Sequence, residues 1–252
     1  MKALLAIALS ACALVPSAPA PAVEVAPSCK PVAVESARNR DGSVLSVRTE
    51  CPDEGTRLFV IELQCPGGAT CDRLEVEQSV EESSTGSASV RDLAGDGRYM
   101  VEVRGSCGAG PNCAGDLYGV STGGHSLMHF FSGGYADISV RDGWLVESGR
   151  ASCCSWEFHM WKLDAARGQP LQYDNMDLMA QVGVLFGEGG VDERFDCRFT
   201  RSNGDSIRVV EPPSDALEER CPIYGDDYVL APPDPLSDPA PVPGDDGHTL
   251  EH

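Results

Sequence analysis

From Cys29 to about Leu230 the chain alternates short runs of β-forming residues with clusters of Gly, Asp and Asn. Almost no segment holds an apolar face at helical period over about ten residues, the length an amphipathic helix needs. Strands are predicted over residues 44–49, 57–64, 74–79, 98–104, 136–140, 144–148, 156–163, 171–174, 194–200 and 206–211. Arg141-Asp142-Gly143 and Ser202-Asn203-Gly204-Asp205 carry the Asp-Gly and Asn-Gly pairs that favour tight hairpins, because both central residues take positive φ there. The pattern predicts an all-β domain of antiparallel meanders, arranged as a sandwich, barrel or small propeller and braced by disulfides.

A weak internal repeat supports the meanders. Arg57-Leu-Phe-Val-Ile-Glu-Leu-Gln-Cys65 and Arg98-Tyr-Met-Val-Glu-Val-Arg-Gly-Ser-Cys107 are both strands that run into a C-x5-C loop. Residues 136–179 read as a third meander without that loop. Residues 81–96, small and polar, read as a solvated loop, and 215–220 as a helical turn with Asp215 able to cap and Glu218 three residues on. Three parts follow: residues 1–28 as an export signal and tether, 29–230 as the β domain, and 231–252 as an acidic, Pro-rich tail too polar to offset its ordering entropy.

Met1 and Lys2 precede the apolar run 3–15, too short to span a bilayer, which needs about 20 residues. Two readings of its end stay open. Ala-x-Ala sites lie around Ala18-Pro19-Ala20 and Ala20-Pro21-Ala22, giving a secreted protein. Alternatively, Leu9-Ser10-Ala11-Cys12 resembles the bacterial lipobox. That resemblance implies an acylated Cys12, an outer-membrane lipoprotein facing the periplasm, and contact with the membrane only through the lipid. Both readings remove Cys12 from the disulfide pool.

Ten thiols in an oxidising compartment are expected to pair. Cys65 with Cys71 and Cys107 with Cys113 each enclose five turn-forming residues, short enough for the chain to reverse and bring the Cβ atoms into range. Cys29 with Cys51 and Cys197 with Cys221 follow as medium-range clasps. Adjacent Cys153 and Cys154 are left, needing a strained vicinal ring or partners elsewhere. A structural zinc site would call for C-x2-C knuckles, and neither x5 loop has that spacing.

Charge narrows the partners. The chain holds 39 acidic against 19 basic residues, a net charge of −20. Nucleic acid and anionic lipid surfaces are therefore repelled, while a cationic protein is attracted. Half of that charge lies in residues 211–252, where 11 carboxylates accompany one Arg.

Candidate chemistry is sparse. Gly119-Val120-Ser121-Thr122-Gly123 matches the G-x-S-x-G pattern of a nucleophile elbow, with His125 or His159 as a base, but Gly124 follows where a helix should start. This gives the alternative reading, a serine hydrolase using Ser121. On a strand, His125 and His129 would lie about 13 Å apart, too far to share a metal. Glu157 and His159 share a strand face and could form an acid-base couple. Asp92 with Asp96-Gly97, and Tyr224 with Asp226 and Asp227, offer oxygen ligands in turns, but neither fits the twelve-residue calcium loop, so calcium stays an unassigned candidate. No cofactor is expected.

One segment points to a family. Ser132-Gly133-Gly134-Tyr135 resembles the S-G-x-Y motif of bacterial periplasmic lysozyme inhibitors. That resemblance implies a β-rich binding protein, not an enzyme, that inserts a loop into the cleft of a peptidoglycan hydrolase. Ser132 and Tyr135 would offer hydroxyls to the catalytic carboxylates, and Gly133 and Gly134 would keep the loop narrow. A cationic cell-wall hydrolase as partner agrees with the acidic charge, because opposite charge raises the association rate. An inhibitor or immunity protein is the expectation, with a structural envelope protein lacking a discrete site as a further alternative.

Overall fold

The structure is a computed structural model that describes residues 29–82, 86–163, 170–187, 190–203 and 206–235. The chain forms three meanders, one after another. The first comprises β1 (Val32–Arg38), β2 (Val44–Glu50), β3 (Thr56–Gln64) and β4 (Thr70–Ser79). The second comprises β5 (Ser87–Arg91), β6 (Met100–Cys107), β7 (Cys113–Val120) and β8 (Leu127–Tyr135). The third runs from β9 (Asp137–Arg141) through β10 (Trp144–Ser152), β11 (Ser155–Lys162), β12 (Leu178–Gly187) and β13 (Gly190–Asn203) to β14 (Ser206–Val210). After the short helix α1 (Asp215–Glu218), β15 (Tyr228–Leu230) returns parallel to β13. The other strand pairs among the described residues are antiparallel, as the alternating pattern predicts.

Alternation decides what each sheet buries. In β2 the inward residues Leu45 and Val47 are buried while their neighbours are half-exposed. With Phe59 and Ile61 of β3 they pack on Val101, Val103 and Tyr118, joining the first sheet to the second. The opposite face of the second sheet supplies Leu117, Phe131 and Tyr135, which pack on Ile138, Leu145 and Trp161 of the third. A third core lies under α1, where Leu217 and the Cys197–Cys221 bridge cover Phe158, Val182 and Phe199.

Four of the expected bridges are present: Cys29–Cys51, Cys65–Cys71, Cys107–Cys113 and Cys197–Cys221. Cys153 and Cys154 differ. They are thiols side by side at the tip of the β10–β11 hairpin, their sulfurs 2.7 Å apart. Closing them would make an eight-membered ring containing the peptide bond between them, which resists leaving trans planarity. The Asp142-Gly143 turn has φ of 47° and 75° at its two central residues, as a tight hairpin requires.

Several expectations need correction. The stretch 81–96 contains β5, a strand of small residues that the composition disguises. Residues 171–174 are not a strand: Leu171 makes a single parallel bridge to Phe131, and a 3-10 turn follows at Tyr173–Asn175. Contacts with the sheet also continue past Leu230, since the Ala231 and Asp234 N–H groups donate to the Cys197 and Val209 carbonyls. The expected export signal, Cys12 within it, and residues 236–252 lie outside the described residues. No helix among those described is long and apolar enough to cross a membrane.

Candidate functional site

The segment Ser132 to Tyr135 is not a protruding loop. It is the last part of β8, with Ser132 opposite Asp116, Gly133 opposite Gly115 and Tyr135 opposite Cys113 on β7. Tyr135 points inward, is fully buried, and lies across Gly115, where any side chain would overlap the phenol ring. Its hydroxyl donates to Glu102 Oε1 at 2.8 Å. Glu102 also accepts from Arg91 Nη1 at 2.7 Å and from Arg104 Nη1 at 3.3 Å. The Arg104 guanidinium sits 4.6 Å from the Tyr135 ring centroid. The expected role of the Tyr135 hydroxyl is thereby corrected: it already has a carboxylate, within its own chain.

A second buried carboxylate belongs to the third sheet. Glu147 of β10 is 1% exposed, directly opposite His159 of β11, and its Oε2 is 3.2 Å from His159 Nδ1. Its Oε1 accepts from the Tyr173 hydroxyl at 2.6 Å and from the Gly134 N–H at 3.1 Å. That N–H also donates to the Tyr173 oxygen at 3.0 Å. Burying a carboxylate is costly unless such donors surround it, so this arrangement fixes Gly134 to the third sheet. The expected couple is present too, with Glu157 Oε2 3.8 Å from His159 Nε2. Glu147 and Tyr173 were not anticipated, because only the packing of two sheets and the 3-10 turn brings them to this pair.

The outer edge of β8 is closed by the same elements. The Leu171 N–H donates to the Phe130 carbonyl at 2.8 Å and the Ser132 N–H to the Leu171 carbonyl at 3.4 Å. The face of β8 turned away from the third sheet carries Ser132 and the exposed Gly134. Beside them His129 Nε2 is 2.9 Å from Asp116 Oδ1, and the His129 ring is 5.2 Å from Tyr118.

The remaining candidates fall apart. Ser121 opens the β7–β8 turn and contacts the Ser126 hydroxyl at 2.7 Å; a strand follows, not the helix of a nucleophile elbow. His125 Nδ1 lies instead 3.4 Å from Cys65 Sγ. Cys65, Cys71 and His125 have ligand atoms within 4.8 Å of one another, but the two sulfurs are bonded together and offer no thiolate. The Asp92 carboxylate closes its own turn by accepting from the Asp96 and Gly97 N–H groups, and Asp96 pairs with Arg98 at 2.6 Å.

Three phenols share one electrostatic direction. Burial, then the charge of Asp116, pushes Tyr118 up to about 12. Burial also raises Tyr135, with Glu102 adding to it, and Tyr173, with its bond to Glu147 adding to it. An unfolded tyrosine ionises near about 10. The folded state therefore holds these protons where the unfolded chain releases them, so the stability they contribute is full below pH of about 10 and is lost as pH rises beyond it. The urea midpoint is expected to fall steeply between pH of about 10 and 12, and less steeply in Tyr173→Phe. An unchanged midpoint across that range would contradict the burial of these phenols.

No protein-family model matches the chain, and no curated protein matches it. Among solved structures it is similar to a chain described as a Xanthomonas type IV secretion system related protein, at 14% identity and a TM-score of 0.41, over 72% of this chain and 100% of that one.

Proposed function

We propose that this is an exported binding protein of the bacterial envelope that blocks a cationic peptidoglycan hydrolase, with the outward face of β8 as its contact. The observation that carries this reading is the state of Gly134: exposed on its outer side while its N–H is locked to Glu147 and Tyr173 beneath. A contact held rigid before binding loses little entropy on association. Ser132 and Gly134 supply the narrow surface, the 47% exposed Tyr173 an aromatic flank, and Tyr135 supports both from below. The export signal and the net charge of −20 suit a partner in the cell wall.

A panel of peptidoglycan hydrolases, titrated with the purified protein at low and moderate salt, tests this. Inhibition of at least one member is expected, weakening as salt screens the attraction. Gly134→Arg is the decisive variant, because a Cβ at Gly134 meets nothing within 4 Å and its φ is not positive. It should melt like the parent and inhibit at least about tenfold less well, since bulk and like charge then meet the partner. Inhibition unaffected by Gly134→Arg, or none on any hydrolase, would overturn the proposal.

A further inference from the structure

A cavity of 840 Å³ opens where the three sheets meet, away from the outward face of β8. Its volume falls within the range of small-molecule sites, about 300–1,000 Å³. The β1–β2 turn, the β5–β6 loop, the β7–β8 turn and the segment after β11 each contribute to its wall. The lining divides by chemistry. Leu93, Met100, Met128, Phe130, Leu163 and Leu171 form an apolar interior, in which the two methionines can adapt to an irregular chain. Arg40, Asp41, Arg98 and Lys162, all exposed, and the half-exposed Asp96 line its solvent side.

The two carboxylates are already engaged. Asp96 holds Arg98, and Asp41 accepts from the Ser43 N–H at 2.9 Å and the Ser43 hydroxyl at 2.7 Å. Among the described residues no carboxylate lies within ion-pair distance of the Arg40 or Lys162 side chain. Two cations with no ion-pair partner among the described residues, Arg40 reaching Asp96 only at longer electrostatic range, stand out beside an apolar cavity in a chain of net charge −20.

We infer that this cavity binds a single-chain amphiphile, its aliphatic chain inside and its anionic head, carboxylate or phosphate, at Arg40 and Lys162. Ser121 and Thr122, which line the same cavity, supply hydroxyls beside that head. The site is independent of the hydrolase reading, since none of its lining residues belongs to the Ser132 to Tyr135 segment.

Calorimetric titration of the purified protein with monomeric dodecanoate, dodecyl phosphate and dodecanol tests it. Saturable one-to-one binding of at least one anionic ligand is expected, tighter than that of dodecanol, and the tighter anion identifies the head. The double variant Arg40→Glu, Lys162→Glu changes two exposed side chains and should keep the parent melting temperature. It should bind the anion about tenfold more weakly and dodecanol as before, since two exposed charge contacts are reversed. Binding of dodecanol as tightly as the anions, an unchanged anion affinity in the double variant, or no saturable binding would each overturn the inference.

Discussion

Tyr135→Ala is expected to lower the free energy of unfolding by about 3–5 kcal/mol, the cost of truncating a large buried aromatic. The phenol ring fills the space over Gly115, packs 5.9 Å from the Phe131 ring and carries the Arg104 guanidinium above it. Truncation empties that space and takes one donor from Glu102, which is 2% exposed. A small domain has only about 5–15 kcal/mol in total, so much of the margin goes with one side chain. Tyr135→Phe separates packing from polarity: it keeps the ring, leaves Glu102 with Arg91 and Arg104, and should cost about 1–2 kcal/mol. Urea denaturation followed by far-UV dichroism measures both variants, and hydrolase inhibition is read alongside. Tyr135→Phe should inhibit like the parent. If Tyr135→Ala instead kept the parent midpoint while losing inhibition, the phenol would be a contact with the partner and its inward packing would be wrong.

The different fates of Tyr135 and of the cysteines show which features a sequence makes visible. Cys65 and Cys71 enclose Pro-Gly-Gly-Ala-Thr, and chain reversal over so short a span is a local event readable from residue types. The Asp142-Gly143 turn is legible for the same reason. A strand such as β5 is less so, because Ser-Ala-Ser lacks apolar weight and is held by pairing with β6. The polar cluster under β8 is less legible again. Glu102, Glu147 and Tyr173 come from three separate parts of the chain, and nothing local distinguishes these two carboxylates, buried among the described residues, from the chain's other acidic residues. Ser132-Gly133-Gly134-Tyr135 stood out as a motif, but the direction in which Tyr135 points depends on strand register, which alternation sets only after β8 has paired with β7.

Removing the Cys197–Cys221 bridge is the second large effect. Its sulfurs join β13 to the 3-10 turn after α1 across a sequence separation of 24, against 6 for Cys65–Cys71. In the chain-entropy account those loops correspond to about 3.5 and 2.4 kcal/mol of restriction on the unfolded chain. The longer bridge also belongs to a core: Cys197 and Cys221 are 0% and 1% exposed and pack with Leu217, Val182 and Phe199. Without it, α1 and β15 keep Leu217, the Phe195–Tyr224 ring stack, the packing of Tyr228 and Leu230, and a few backbone bonds to hold them to the sheet. Cys197→Ala, Cys221→Ala is therefore expected to lose about 3–5 kcal/mol, and Cys65→Ala, Cys71→Ala about 2. Accessibility predicts a matching kinetic order. Under dithiothreitol with alkylation and mass spectrometry, the half-buried Cys65–Cys71 bridge should open in the native state. Cys197–Cys221 should open only at the rate of unfolding, since a reductant cannot reach a sulfur enclosed by the core. Equal reduction rates for the two bridges under native conditions would place Cys197 outside the core and undo this assignment of its role.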